Sequence, residues 1–266
     1  MARLEYKYLL AVDQVAAFRR EIAPFVELDS YSARAAEKKY TVRSIYFDTT
    51  LLDFYRDKVI GLNKRKKIRI RGYNHHSEND ITFLELKAKS GSTIVKYRAP
   101  VLFKNLAALL HTQDIGQYIL CNNGFINVHE QAQRFLSEVL KRNLTPIIKI
   151  MYEREAYFYK FNHQVRITLD TGLRSSATVD LDKLYEEENP VYSLIGRAIL
   201  EVKVSGEIPP WLRQVIGRFN LQMQAVSKYI ICLEDHSNYH QRLEKSLRGL
   251  SKYHQFKNFM IIENMD

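Results

Sequence analysis

Cations at alternate positions of residues 64–73, KRKKIRIRGY, point to the binding of an anion. Side chains of a β-strand alternate between its two faces. The residues that would share one face are Lys67, Arg69, Arg71 and Tyr73. The opposite face carries Ile68 and Ile70, which can pack in a core. Arginine forks bind phosphate oxygens in pairs and lysines act as point charges, so the cationic face is suited to a phosphate-rich ligand.

Four further segments show the same alternation of charged and aliphatic side chains. Their charged members are Glu85 with Lys87, Lys96 with Arg98, Arg166 with Asp170, and Glu201 with Lys203. For any one strand, a polar outer face and an apolar core is the better interpretation. Here, however, the polar faces are dense in Lys and Arg and nearly free of Ser, Asn and Gln. The pattern predicts the inverse arrangement, a barrel with a cationic lumen and an apolar outside.

Amphipathic helices are available to cover that apolar outer face, as an α+β fold requires. We predict helices after Asp13, over 105–120, over 129–141 and from Pro209, with Asp13 and Asn105 as N-caps. A barrel of about eight strands leaves room for a small ligand. We expect this domain to span residues 1–234, followed by a helical tail, 235–266, with little apolar surface.

The charge of the chain favours an anionic partner. Lys and Arg exceed Asp and Glu by ten, for a formal net charge of +10. The carboxylates that could hold Mg²⁺ or Mn²⁺ through oxygen ligands are Glu5, Glu85, Asp170 and Glu201. For Glu5, Glu85 and Asp170, salt bridges with lumen cations are an equally good interpretation.

An ordered series of short motifs resembles the VTC domain. The motifs are R-x-E-x-K-Y at 3–8, S-I-Y-F-D-T at 44–49, K-I-R-I-R-x-Y at 67–73, L-E-L-K at 84–87, K-Y-R at 96–98, Y-x-R at 152–154, V-R-I-T-L-D at 165–170, L-E-V-K at 200–203 and S-K-Y at 227–229. VTC domains are the catalytic domains of vacuolar transporter chaperone polyphosphate polymerases, within the triphosphate tunnel metalloenzymes of the CYTH-like superfamily. Each motif is weak alone, and their order makes the series specific.

The resemblance implies an eight-stranded antiparallel tunnel that uses Mn²⁺ or Mg²⁺ to transfer the ATP γ-phosphate to a growing inorganic polyphosphate chain, releasing ADP. The catalytic positions that it implies are Arg69, Arg71, Arg154 and Glu201, with Glu201 as the metal ligand. The implied substrate-binding positions are Lys7, Lys87, Lys96, Arg98, Tyr152, Arg166, Lys203 and Lys228. Arg3 stands where the E-x-E-x-K pattern of the superfamily's triphosphatases and cyclases has its first carboxylate, which favours the polymerase branch.

Two alternatives stay open: a triphosphatase acting on nucleoside triphosphate or tripolyphosphate, and a non-catalytic polyphosphate-binding domain. Nucleic acid is not the expected partner, because the cations alternate on strands and form no exposed basic helix.

Two cysteines without a CxxC pair and a charged N-terminus predict a cytoplasmic chain. No apolar run is long enough for a membrane span, although docking to a membrane protein stays possible. We expect a stand-alone, bacterial polymerase, without the SPX domain and membrane helices of eukaryotic members.

Overall fold

The computed structural model describes residues 3–74, 80–91, 93–121, 124–177 and 180–247. The strands are β1 (Arg3–Ala11), β2 (Val26–Leu28), β3 (Tyr40–Asp48), β4 (Lys64–Tyr73), β5 (Ile81–Ser90), β6 (Thr93–Leu102), β7 (Thr145–Tyr159), β8 (Asn162–Ala177), β9 (Val191–Tyr192) and β10 (Arg197–Ser205). The helices are α1 (Val15–Ile22), α2 (Ser30–Arg34), α3 (Asp53–Val59), α4 (Leu106–Thr112), α5 (Ile115–Tyr118), α6 (Val128–Lys141), α7 (Pro210–Arg218), α8 (Lys228–Glu234) and α9 (His240–Leu247). Short 3-10 helices lie at Val12–Gln14, Phe103–Asn105, Asp182–Leu184 and Ser237–Tyr239.

Eight strands follow one another through antiparallel pairing in the order β1-β10-β8-β7-β3-β4-β5-β6. The short strands β2 and β9 add to β7 and β8. The sheet curls on itself: Lys87 Nζ on β5 lies 3.7 Å from Glu5 Oε2 on β1, although five strands lie between them in the sheet. Between the described residues of β1 and β6 no strand pairing closes the cylinder. The predicted eight-stranded antiparallel architecture is confirmed, as a curled sheet with an open seam.

The aliphatic faces of the strands point outward and are covered by helices, as predicted. Ile68 and Ile70 on β4 are fully buried in a cluster that includes Phe135 of α6. On the other side of the cylinder, Val202 on β10 packs in a cluster with Phe18 of α1. The inside of the sheet is thereby left to the charged faces.

Helix α8 packs against inward-facing side chains of β3 and β7. Its Tyr229 and Leu233 share a buried cluster with Tyr46 and Tyr152. The Tyr46 and Tyr229 rings are stacked, with centroids 5.3 Å apart. One side of the lumen is therefore filled by apolar side chains, and the cations line the remainder.

The tail predicted to have little apolar surface contributes to the core where the structure describes it. Tyr239, Leu243 and Leu247 are buried in the same cluster as α8. The remaining tail residues, 248–266, lie outside the described part of the chain. The boundary at residue 234 stays a prediction.

Of the two predicted helix caps, Asp13 was wrong, whereas Asn105 does occupy the N-cap position of α4. Asp13 lies inside the 3-10 helix that precedes α1, and Gln14 stands at the cap without a side-chain bond. The predicted helix over 105–120 is divided by Gln113, whose φ of 61° breaks the α conformation. Asn105 makes no capping bond, whereas Asp114 accepts one from the Gln117 amide at the start of α5.

Candidate active site

Strand register brings the predicted side chains to one interior surface. The facing pairs are Lys67 with Lys87, Arg69 with Glu85, Lys87 with Lys96, Glu85 with Arg98, Lys7 with Glu201, Lys203 with Arg166, and Arg154 with Asp170. Because facing residues of an antiparallel pair point to the same side of the sheet, these groups share the lumen. Three clusters, each centred on a carboxylate, organise them.

The first cluster surrounds Glu85. Arg69 Nε donates to Glu85 Oε2 at 2.7 Å, Arg71 Nε lies 3.6 Å from the same oxygen, and Arg98 Nε lies 3.3 Å from Oε1. Burial alone would raise the pKa of Glu85, but the guanidinium groups of Arg71, Arg69 and Arg98 lower it to about 2. Glu85 therefore stays ionised and holds three arginines together, which fits the salt-bridge interpretation.

Strand β3 orients two of these arginines through residues of the S-I-Y motif. Arg69 Nη1 donates to the Tyr46 hydroxyl at 2.8 Å, and Arg71 Nε lies 3.3 Å from Ser44 Oγ. Ser44 and Tyr46 are two residues apart, so both side chains point inward. Ser44 and Tyr46, which contact the arginines of the candidate site, were missing from the predicted site. The alternation of Ser44 and Tyr46 opposite Arg71 and Arg69 was the signal that could have found them.

The second cluster surrounds Asp170. Arg154 binds this carboxylate with two bonds, Nε to Oδ1 at 2.6 Å and Nη2 to Oδ2 at 2.7 Å, and Lys228 Nζ donates to Oδ2 at 2.6 Å. Burial would raise the pKa of Asp170, but Arg154 and Lys228 lower it to about 2. The Tyr152 ring lies beneath both cations, with Lys228 Nζ 4.5 Å and Arg154 Cζ 5.2 Å from its centroid.

The third cluster joins two carboxylates with three lysines. Glu201 contacts Lys203 directly and lies 3.8 Å from Lys7 Nζ, while Glu5 lies 3.2 Å from Lys7 and 3.7 Å from Lys87. Burial would raise the pKa of Glu201, but Lys203 and Lys7 hold it well below its usual range. An ionised carboxylate thus lies among lysines on the wall formed by β1 and β10.

Lys67 lies between these clusters without a carboxylate. Its Nζ donates to Ser227 Oγ at 3.1 Å, and among the described residues no acidic side chain lies within ion-pair distance. Burial, together with the charges of Lys7, Arg69 and Lys87, holds the pKa of the Lys67 amine well below its usual range. A bound anion would stabilise the charged form of this ammonium group, because no acidic side chain of the described residues does so.

Two predicted residues lie at the periphery. Arg166 Nη2 donates to the buried Asp29 Oδ2 at 3.0 Å, and its Cζ lies 5.6 Å from the Phe158 ring centroid. Lys96 is exposed on β6, opposite Lys87. Arg166 and Lys96 are therefore suited to a ligand that enters or leaves the lumen rather than to one at its centre. Asp29 was not among the predicted site residues.

Oxygen donors for a divalent ion are present, although not as a complete cage. Within the described residues no group of three or more His, Cys, Asp or Glu side chains is arranged to hold a metal. Mg²⁺ commonly takes one or two carboxylates and completes its coordination with substrate phosphates and water. Glu201 and Glu5 fit such a site, because each is ionised and the two interact: burial and the Glu201 charge raise the pKa of Glu5, and the nearby lysines outweigh them.

Comparison with known families shows which family this chain belongs to. Residues 2–235 match the family model of the VTC domain. The chain belongs to the VTC domain family. The vacuolar transporter chaperone complex subunit 4 of Schizosaccharomyces pombe is 27% identical over 234 residues, which cover 73% of this chain. The VTC protein described here spans 31% of the length of that relative.

Two solved structures are similar to this VTC domain at low sequence identity. The PH1819 protein of Pyrococcus horikoshii is 12% identical, with a TM-score of 0.45 over 88% of this chain and 100% of the other. A Hippeastrum protein, described as a putative adenylyl cyclase with a dominant triphosphatase activity, is 11% identical, with a TM-score of 0.47 over 86% of this chain and 93% of the other. In the part of the VTC chain that the structure describes, every helix is too short or too polar to span a membrane.

Proposed function

We propose that this protein is a polyphosphate polymerase that transfers the γ-phosphate of ATP to the end of an inorganic polyphosphate chain and releases ADP. One structural observation supports this function: among the described residues, the interior wall carries more Lys and Arg side chains than Asp and Glu side chains, and Lys67 has no acidic partner there. A lumen with excess positive charge is suited to a long ligand that carries one negative charge or more per unit. Membership of the VTC family, and similarity to a vacuolar transporter chaperone subunit, support the same function.

The arginines would act on the phosphate that is transferred. Arg69 and Arg71 project from β4, and Arg154 projects from β7 on the other side of β3, where it pairs with Tyr40. Phosphoryl transfer depends mainly on the alignment of reactants and on neutralising charge on the transferred group. In our proposal, these guanidinium groups hold the γ-phosphate while the terminal phosphate of the chain attacks in line. The mechanism requires no protein nucleophile.

The lysines would hold the polymer. Lys7, Lys67, Lys87 and Lys203 lie on adjoining walls, and Lys228 reaches the lumen from α8. Ammonium groups bind phosphate as point charges without a fixed orientation. They therefore suit a chain that must move by one phosphate after each addition. Lys96, Arg98, Arg166 and Tyr152 would complete the substrate-binding surface.

A divalent metal ion, Mn²⁺ or Mg²⁺, is part of this proposal. Glu201, with Glu5 beside it, would hold the ion together with phosphate oxygens of the substrate. When bound, the ion supplies positive charge that neutralises the phosphates and lowers the barrier to nucleophilic attack. The residues of this chain contribute the position and ionisation of the carboxylate, because Lys203 and Lys7 keep Glu201 deprotonated. We place the activity in the cytoplasm, where ATP is present.

The decisive experiment is synthesis from defined substrates. Purified protein is incubated with ATP, Mn²⁺ or Mg²⁺ and a short polyphosphate primer, and products are separated on a gel stained for polyphosphate. We expect a ladder of long polymer with an equivalent amount of ADP. Free phosphate without polymer would identify a triphosphatase instead. Tight polyphosphate binding without turnover would identify a non-catalytic binding domain.

A further inference from the structure

Four aromatic rings form a collar beside the arginines of the lumen. The collar consists of Tyr40, Tyr73, Phe83 and Phe125. Ring centroids are 6.0 Å apart for Tyr40 and Tyr73, 6.2 Å for Tyr73 and Phe83, and 5.7 Å for Phe83 and Phe125. Tyr73, Phe83 and Phe125 are each partly exposed, so the collar is not closed off from solvent.

Strand register places the collar at one end of the row of arginines. Tyr73 follows Arg71 by two residues on β4, and Phe83 lies directly opposite Arg71 on β5. Tyr40 faces Arg154 across the β3–β7 ladder. Two residues on a strand correspond to about 7 Å. The collar is therefore one side-chain layer away from the groups assigned to the transferred phosphate.

The other end of the same strands is cationic. There the inward positions of β4 and β5 are occupied by Arg65, Lys67, Lys87 and Lys89. The two ends of the lumen differ in chemistry: one offers aromatic surface next to arginines, and the other offers lysines. Inorganic polyphosphate has no group that can stack on an aromatic surface. A nucleotide has such a group, its base, at the end opposite the γ-phosphate.

Arg98 turns the collar into a stacking surface. Its Cζ lies 3.6 Å from the Phe83 centroid and 5.8 Å from the Phe125 centroid, and its Nη2 lies 3.2 Å from the Tyr73 hydroxyl. The Arg98 side chain is 36% exposed. A guanidinium plane held against one ring can stack a second aromatic group on its free face, and nucleobases commonly stack on arginine planes and on aromatic rings. Such stacking tolerates any base.

We propose that Arg98, Phe83 and Phe125 form the binding site for the base of the nucleoside triphosphate donor. The base stacks in the collar, the triphosphate extends toward Arg69, Arg71 and Arg154, and the polymer occupies the lysine end. This inference rests on the proposed function for the direction of the triphosphate. It adds the place where the base of that donor binds, and it implies that the base contributes to affinity in addition to the phosphates.

The test distinguishes the contribution of the base to binding affinity from the contribution of the phosphates. Phe125→Leu keeps the charge of the lumen and removes an aromatic ring, and Phe83→Leu is a second variant at the same surface. Phe161→Leu is the matched control, because Phe161 is 78% exposed at the turn between β7 and β8. Binding of ATP and of tripolyphosphate to each purified protein is measured by calorimetry without primer and without turnover.

We expect Phe125→Leu to weaken ATP binding by about fivefold or more, since one base–aromatic stack is worth about 1–3 kcal/mol. Tripolyphosphate binding should change less than twofold in the same variant, which also shows that the variant is folded. Phe161→Leu should alter neither affinity. The comparison of variant with wild type for each ligand cancels the different charges of ATP and tripolyphosphate.

Two results would overturn the proposal. Equal weakening of both ligands in Phe125→Leu and Phe83→Leu would mean that the collar supports only the shape of the lumen. Unchanged ATP binding in both variants would mean that the base does not touch the collar. Failure of the proposed function would look different. If the wild-type protein makes no polymer but the variants still lose ATP affinity and keep tripolyphosphate affinity, the base site stands and the polymerase activity is excluded.

Discussion

The hydroxyl of Tyr229 on α8 donates to Oδ2 of Asp48 on β3 at 2.7 Å, and both groups are buried. Asp48 also accepts from the amides of Phe54 and Tyr55 at the start of α3, at 2.9 and 3.0 Å. Lys228, which reaches Asp170 in the lumen, is the residue before Tyr229. The S-I-Y-F-D-T and S-K-Y motifs are thus joined by one buried hydrogen bond that fixes the position of a site lysine.

Removal of the Tyr229 hydroxyl should lower both the stability of the fold and the affinity for polyphosphate. In Tyr229→Phe, the buried Asp48 loses a donor, and we expect the free energy of unfolding to fall by about 1–3 kcal/mol. Polyphosphate affinity should fall as well, because the helix that carries Lys228 is less firmly held. Urea unfolding and polyphosphate titration measure the two effects. Tyr192→Phe is the control, since Tyr192 is 58% exposed, and equal stability of the two variants would contradict this role of Asp48.

Glu201→Gln tests the assignment of the metal. The amide keeps the shape of the side chain and removes its charge, so we expect metal-dependent turnover to fall by about 100-fold or more while the circular dichroism spectrum is retained. A loss of this size is typical for a residue that binds charge in the transition state. Glu130→Gln on the exposed face of α6 should retain full activity. Polymer synthesis by Glu201→Gln at the wild-type rate would exclude Glu201 as the ligand.

Glu85→Gln should separate stability from ligand affinity. The pKa of Glu85 is lowered from 4.5 to about 2, so its ionised form stabilises the fold above pH 4.5, and this contribution is lost as the pH falls from 4.5 to 2. A pKa difference of this size corresponds to roughly 3 kcal/mol. The variant should therefore be less stable than wild type at pH 7 and lose less stability on acidification.

The same variant should bind polyphosphate more tightly, because three arginines no longer share an internal counter-charge. Unfolding by urea at pH 7 and pH 3, and polyphosphate titration at pH 7, provide both measurements. Reduced affinity at unchanged stability would show that Glu85 does not compete with phosphate for Arg69, Arg71 and Arg98.

Because of Lys67, the ligand-free protein should become more stable as the pH rises into the alkaline range. Because the pKa of its amine is lower in the folded state than the usual 10.5, the unfolded chain binds more protons between the two values. Stability therefore rises with pH through that window and is lowest below the folded-state pKa, where Lys67 is charged without a partner. Lys67→Met should raise the free energy of unfolding at neutral pH by about 1 kcal/mol or more, and reduce its dependence on alkaline pH.

Thermal unfolding between pH 7 and pH 10 measures this effect, with Lys64→Met, an exposed lysine of the same strand, as the control. Polyphosphate binding to wild type should take up protons in this window, and calorimetry in buffers of different ionisation enthalpy detects them. A variant with the wild-type pH dependence would contradict the role of Lys67.

The alternation of charge in the sequence predicted the strands, the inverted polarity and most of the lumen cations. These features follow from the period of a β-strand, which is local. The ends of helices were less predictable. Asn105 is a residue type that often caps helices, but the chain enters α4 through a 3-10 turn, and the Asn105 side chain accepts no hydrogen bond from a backbone amide there.

Partners that come from distant segments could not be predicted. Asp29 meets Arg166, and Ser227 meets Lys67, across 137 and 160 residues of chain. Their side chains are common in turns and caps, so local pattern gives them no functional signal. The carboxylates were ambiguous for a related reason: whether Glu85 binds a metal or an arginine depends on the arrangement of three strands rather than on its own neighbours.

Under the proposed function, the open seam of the sheet would affect how the polymer enters and leaves. A closed tube can be threaded only from an end, so a long chain would have to slide through its full length before release. In this molecule no backbone ladder joins the described residues of the edge strands β1 and β6, and the Glu5 side chain of β1 lies 3.7 Å from Lys87 of β5, the strand next to β6. Separation of an ion pair costs far less than rupture of a strand pairing. If the protein is a polymerase as proposed, such a seam would let a polymer load and leave sideways in mid-chain, and residence time would then set the length of the product.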